Sequence, residues 1–172
     1  MKHIFLFLAL IPLISSGQNN SHPPQTQNPG YVKSVKNITL EGAFELTKLA
    51  FESASALNKK VSIAILDSGG TTVLLVKGND VGPHNTEASR RKAYTALSTK
   101  TPSFELMQKA FADSTARNLN TIPELLLLGG GVPIWKDNEL IGSLGVSGAG
   151  GGLNDHNVAT QAVEKLGFSI NK

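Results

Sequence analysis

The chain has 172 residues, 40% of them hydrophobic and 17% charged, which suits one globular core and leaves too little chain for two. The absence of cysteine excludes disulfides, thiolate zinc sites, iron–sulfur clusters and catalytic thiols, so any metal must use His, carboxylate or backbone oxygen. A formal charge of +3, from 16 Lys+Arg against 13 Asp+Glu, with 6% aromatic residues, is too mild and too poor in stacking groups for a nucleic-acid partner.

Residues 1–17 read as a secretory signal peptide: Lys2 supplies the positive start, residues 4–14 an apolar run broken by Pro12, and Ser15-Ser16-Gly17 a small-residue cleavage site. That run is about half the ~20 residues of a spanning helix. No cysteine follows it to carry a lipid, so no stable membrane anchor is expected. The product is expected to be soluble and exported, to the periplasm or the extracellular space. Residues 18–30 are polar and rich in proline, with no side chain for a core, and read as a disordered spacer. His22 stands alone there without a preorganised partner. The folded domain is expected over residues 31–172.

In chain order, Leu40, Ala43, Phe44, Ala50, Phe51, Ala54 and Leu57 predict an amphipathic helix, with Thr39 as its cap. Residues 61–67 alternate in polarity, Ser68-Gly69-Gly70 turns, and residues 71–77 are rich in branched side chains, which predicts a β-hairpin. A loop over 78–83 leads to a helix capped by Asn85 or Thr86 and running to about Ser98. Thr101-Pro102 introduces a second short helix over 103–112. Loop is expected over 113–123, a strand over 124–128, a turn over 129–133, the start of a return at Ile134 and Trp135, and a strand over 139–147. The glycine-rich stretch 148–152 breaks the chain before a last helix over 155–166, with Gly167 just past its end. This order predicts an α+β fold, an antiparallel sheet of about five strands flanked by helices in a single domain. A dinucleotide-binding fold is disfavoured, because Asp67-Ser68-Gly69-Gly70 leads into a strand rather than a helix.

Four features could carry chemistry. His84 precedes a helix, and its neutral imidazole is the best iron-ligand candidate in the chain by chemistry alone. Arg90-Arg91-Lys92 cannot form one cluster, because successive helical residues point about 100° apart; the triplet reads as a solvated face or as a source of cations for ligand carboxylates. Gly129-Gly130-Gly131-Val132-Pro133 and the run over 142–152 lack the Lys and hydroxyl of a phosphate loop. They read as tight turns, with close approach to a ligand or subunit as the alternative. Asp155 reads as a helix cap, with His156 beside it.

Taken together, Asp67-Ser68-Gly69-Gly70, Arg91-Lys92-Ala93-Tyr94-Thr95-Ala96, Gly129-Gly130-Gly131-Val132-Pro133-Ile134, Ile141-Gly142-Ser143-Leu144-Gly145-Val146-Ser147-Gly148 and Asp155 resemble the GlcG/HbpS family of haem-binding, haem-degrading or PduO-like domains over residues 38–168. The resemblance implies a compact α+β domain that assembles into homo-oligomers and binds haem or a related tetrapyrrole. It places Lys92, Thr95, Gly131, Pro133 and Ser147 near ligand or subunit contacts. Some family members use a histidine of the first helix, which residues 39–58 lack. His84, or a weak oxygen ligand such as Thr95, is the expected substitute.

Three functions follow from this reading. The first is an exported haem-binding protein with a slot lined by Phe44, Phe51 and valines, iron held by His84 or Thr95, and propionates paired with Arg90, Arg91 or Lys92. The second is an enzyme acting on small organic acids or a cofactor, with Arg91 binding a carboxylate and His84 as general base. The third is a structural homo-oligomer without ligand.

Overall fold

Residues 30–172 are described by the structure, a computed structural model; the expected signal peptide and nearly all of the expected spacer lie outside them. The chain divides into two units, Met1–Lys33 and Ser34–Lys172. All described helices and strands belong to the second.

Thr39 opens α1 (Leu40–Ala56) as expected, its hydroxyl accepting from the Gly42 N–H at 3.1 Å. The buried face differs from the predicted stripe. Ala43, Leu46, Thr47, Ala50, Ser53 and Ala54 point inward, whereas Leu40, Phe44 and Leu57 are exposed. The observed set repeats every three and four residues without a gap, and its small side chains let the helix sit close to the layer beneath it.

The first hairpin forms as predicted, from β1 (Ser62–Asp67) and β2 (Thr72–Lys77). Asp67 Oδ1 closes the turn by accepting from the N–H groups of Gly69 and Thr71, each at 2.9 Å. α2 (His84–Thr99) and α3 (Ser103–Ala112) follow, then a 3₁₀ helix (Ser114–Thr121) where loop was expected.

The expected strand over 124–128 does not form, because α2 engages the backbone groups a sheet would need. Arg91 donates to the carbonyls of Pro123 (2.6 Å) and Leu125 (2.8 Å), and the Leu126 N–H donates to Thr95 Oγ1 at 2.8 Å. The strand begins later, at β3 (Gly131–Lys136), so residues 131–133 extend rather than turn. The turn to β4 (Glu139–Ser147) falls at Asp137 and Asn138, with φ of 51° and 62°, the paired left-handed geometry of a tight two-residue hairpin. α4 (Gly152–Lys165) ends the fold.

The sheet has four strands in the order β2-β1-β4-β3, every neighbouring pair antiparallel; the strand expected over 124–128 accounts for the difference from five. Pro133 is accommodated because β3 is an edge strand. One sheet face, with Ile63, Ile65, Val132, Ile134, Leu144 and Val146, packs under α1 and α4 in the main core. The other face carries Ala64 and Leu66 beneath Ala93 and Leu97 of α2. Ala64, Gly145 and Gly131 lie side by side across β1, β4 and β3. A β-carbon at Gly145 would collide with the Ser89 carbonyl, and one at Gly131 with the Lys92 carbonyl. These two glycines thus serve helix-to-sheet approach rather than turns, and the bare stripe lets the α2 backbone rest directly on the sheet.

Candidate ligand-binding site

The close seating of α2 brings its first turn to the end of the two central strands where β4 finishes and β1 begins. The chain leaves β4 through Gly148, Gly150 and Gly151, with φ of 120°, 90° and 143°, values that glycine adopts at little cost and that residues with a side chain rarely adopt. It then enters α4 at Gly152. A cavity of about 420 Å³ opens between these two helix starts. His84, Asn85 and Ala88 of α2, Met107 of α3, Leu128, the loop glycines and Leu153 line it.

A buried polar network forms its floor. Lys92, 3% exposed, donates to Asp155 Oδ2 (2.7 Å), to the Val146 carbonyl (3.2 Å) and to Ser147 Oγ (3.3 Å). These three acceptors match the three protons of an ammonium. The second Asp155 oxygen accepts from the Ala149 N–H at 2.7 Å. The Ser147 hydroxyl donates in turn to Asn85 Oδ1 at 2.8 Å, and Asn85 Nδ2 donates to the Gly82 carbonyl at 3.2 Å. The network therefore ties α2, β4, the glycine loop and α4 together. Asp155 is not the helix cap expected of it, since α4 starts at Gly152 with Gly151 at the cap position and Asp155 lies inside the first turns, and Asn85 bridges to β4 instead of capping α2, whose cap position is Pro83.

Three of the predicted site residues, His84, Lys92 and Ser147, meet at this cavity. His84 is exposed, folds over Gly82, and takes part in no hydrogen bond or ion pair among the described residues. The other four lie elsewhere. Thr95 is fully buried and its hydroxyl is used twice, donating to the Arg91 carbonyl (2.8 Å) and accepting from Leu126, which leaves no oxygen facing a ligand. Arg91 holds the 123–125 segment, Gly131 lies against the Lys92 backbone with its N–H donated to Ser103 Oγ (2.8 Å), and Pro133 is buried in β3.

The basic triplet is spent internally. Arg90 bonds Glu87 (2.7 Å) and Glu124 (3.1 Å) and holds the Glu87 carboxyl below the usual carboxylate range. Arg91 and Lys92 are engaged as described, so none of the three is a solvated face or a free cation at the cavity. Phe44 and Phe51 are absent from its lining, which is supplied instead by Ala88, Met107, Leu128 and Leu153. The sequence left Asn85, Met107 and Leu128 out of the site. No local pattern marks them, since the cavity draws on four segments far apart in the chain. Between α3 and α4, His156 stacks on Phe104 with ring centroids 5.2 Å apart; neither lines the cavity. Burial lowers the His156 pKa from the ordinary 6.5, against a smaller opposing effect of Glu105. No group of three or more metal-ligating side chains exists among the described residues.

This architecture defines a small α+β domain with a ligand-sized cavity beside the first turns of two helices. More particularly, the model of the haem-degrading HbpS-like proteins matches residues 38–164, and the chain belongs to that family. It is 31% identical to the corrinoid adenosyltransferase PduO of Salmonella typhimurium over 131 residues, 75% of this chain and 39% of that protein; it thus spans well under half of that relative. It is 36% identical to GlcG of Escherichia coli K12 over 98 residues, 56% of this chain and 70% of GlcG. Among solved structures, a double mutant of Streptomyces reticuli HbpS is similar with a TM-score of 0.75 and 31% identity, covering 86% of this chain and 99% of that one. A PduOC:haem complex is similar with a TM-score of 0.71 and 27% identity, covering 79% and 99%.

Proposed function

We propose that this chain is an exported haem-binding protein that holds the tetrapyrrole at the cavity between the starts of α2 and α4. The observation that carries the reading is the uncommitted imidazole of His84 on a cavity whose walls include Ala88, Met107, Leu128, Leu153 and bare glycine backbone, above the Lys92–Asp155–Ser147–Asn85 floor. A volume of about 420 Å³ falls within the roughly 300–1,000 Å³ of small-molecule sites. A β-carbon at Gly151 would meet nothing within 4 Å, so the mouth of the cavity is open on the loop side. The residues present fit the group: a nitrogen ligand, an apolar wall and a wide mouth. Membership of the HbpS-like family and the likeness to a PduOC:haem complex support the same ligand.

Bound iron would supply the redox and oxygen chemistry of the site. His84 would hold the metal, the Met107, Leu128 and Leu153 side chains would exclude water, and the Lys92–Asp155 pair would keep the glycine loop in place. Binding is the step that scavenging, carriage, sensing and degradation share, and it is the step this cavity supports. Export rests on the leader over residues 1–17, and assembly into a homo-oligomer rests on the family resemblance.

The test is a hemin titration of the chain from Gln18 onward, followed by absorbance, beside His84→Ala. A saturable Soret shift at fixed stoichiometry is expected, weakened at least about tenfold in the variant. A gradual, non-saturating rise that is the same in both proteins would remove haem as the ligand.

A further inference from the structure

A haem carries two propionates, and the cations expected for them are already engaged: Arg90 with Glu87 and Glu124, Arg91 with backbone carbonyls, Lys92 with Asp155. Nearby Lys60 is likewise committed, to Asp80 at 2.5 Å. Lys59 is different. It follows α1, is exposed, and has no ion-pair partner among the described residues.

Its stem runs from a neighbouring groove, which it lines with Phe51 and Lys77, toward the glycine loop. There its Cε and Nζ stand 3.3 and 3.4 Å from where a β-carbon of Gly150 would be. Gly150 is itself part of the cavity wall. Because that position carries no side chain, the Lys59 ammonium can stand directly beside backbone that forms part of the cavity wall. The contact is fixed by packing below it, since Gly148 lies against the Lys60 carbonyl and the Val61 Cα, which holds the 59–61 segment beside the loop. A lysine ammonium on a flexible four-carbon stem can follow a carboxylate projecting from the mouth.

We propose that Lys59 is the cation that pairs with a carboxylate of the tetrapyrrole, an inference that rests on the haem reading above. Lys59 adds recognition of an acidic porphyrin edge to the iron ligand and the apolar wall, and it favours ligands with free carboxylates over their esters.

The experiment titrates the chain from Gln18 onward, Lys59→Gln, Lys59→Arg and Lys77→Gln with hemin and with hemin dimethyl ester, in one detergent buffer. Circular dichroism checks that each variant is folded. For a charge-assisted contact at a partly solvated edge, Lys59→Gln is expected to weaken hemin binding roughly three- to tenfold. It should leave ester binding unchanged, Lys59→Arg should restore hemin binding, and Lys77→Gln should match the parent. Equal hemin affinity in the parent and Lys59→Gln overturns the role of Lys59 while leaving the haem reading intact. So does an equal loss for hemin and ester. Failure of the parent to saturate with hemin overturns both.

Discussion

Lys92 shows how much one side chain can be asked to do. It is buried with all three protons donated, and its Asp155 partner lies 63 residues away in sequence. Burying two charges is costly, and removing one partner leaves the other uncompensated, typically at about 3–5 kcal/mol. Lys92→Met is therefore expected to lower unfolding stability by that amount in urea denaturation, since the Asp155 carboxylate would keep only the Ala149 N–H. Adding Asp155→Asn, which removes the stranded charge and retains the acceptor for Ala149, should recover most of the loss. A single-variant cost below about 1 kcal/mol would show that the pair is not a structural tie. The triplet Arg90-Arg91-Lys92 was legible as three divergent cations from helical geometry alone. Their partners were not, because Glu124, the 123–125 carbonyls and Asp155 become neighbours only when α2 lies on the sheet.

Helix positions follow from small residues more than from large ones. The Ala64, Gly145 and Gly131 stripe admits α2, and the Ala43, Ala50 and Ala54 face admits α1, which is why Phe44 remains outside despite fitting a hydrophobic periodicity. The strand expected over 124–128 fails for a related reason, its backbone having been captured by Arg91 and Thr95. At the α3–α4 contact, His156 is half-buried against Phe104 with its Nδ1 lacking a partner, and burial favours the neutral ring. The unfolded chain protonates this group near its ordinary pKa of 6.5. The stability it contributes is thus full above about 6.5 and is lost as pH falls from there through the lower folded-state value. Thermal melts should show a plateau above about pH 7 and a decline as pH falls below the ordinary value of 6.5. His156→Phe keeps the ring stack and should flatten that decline. An unchanged slope in the variant would assign it to other groups.

For the molecule as a whole, two expectations concern its processing and assembly. If residues 1–17 are a leader, intact-mass measurement of the protein recovered from the periplasm or medium of an expressing bacterium should give a chain beginning near Gln18. Full-length mass in the cytosol would count against export. Light scattering on the same preparation should return a multiple of the chain mass; a monomer would remove the oligomer from the reading. No described helix is long and apolar enough to cross a membrane.

The sequence by itself carried the α+β class, the first hairpin, the cap at Thr39, the glycine break before the last helix and His84 as a candidate ligand. Each rests on residue periodicity or on the chemistry of one or two neighbours, which act over a few positions of chain. Only the tertiary structure decided that four strands rather than five pair, that Thr95 is sealed by Leu126, that Lys92 belongs to Asp155, and that Lys59 leans on Gly150. Those outcomes depend on how closely a helix can approach a sheet, a distance set jointly by glycines and alanines on separate elements, and no local pattern encodes it.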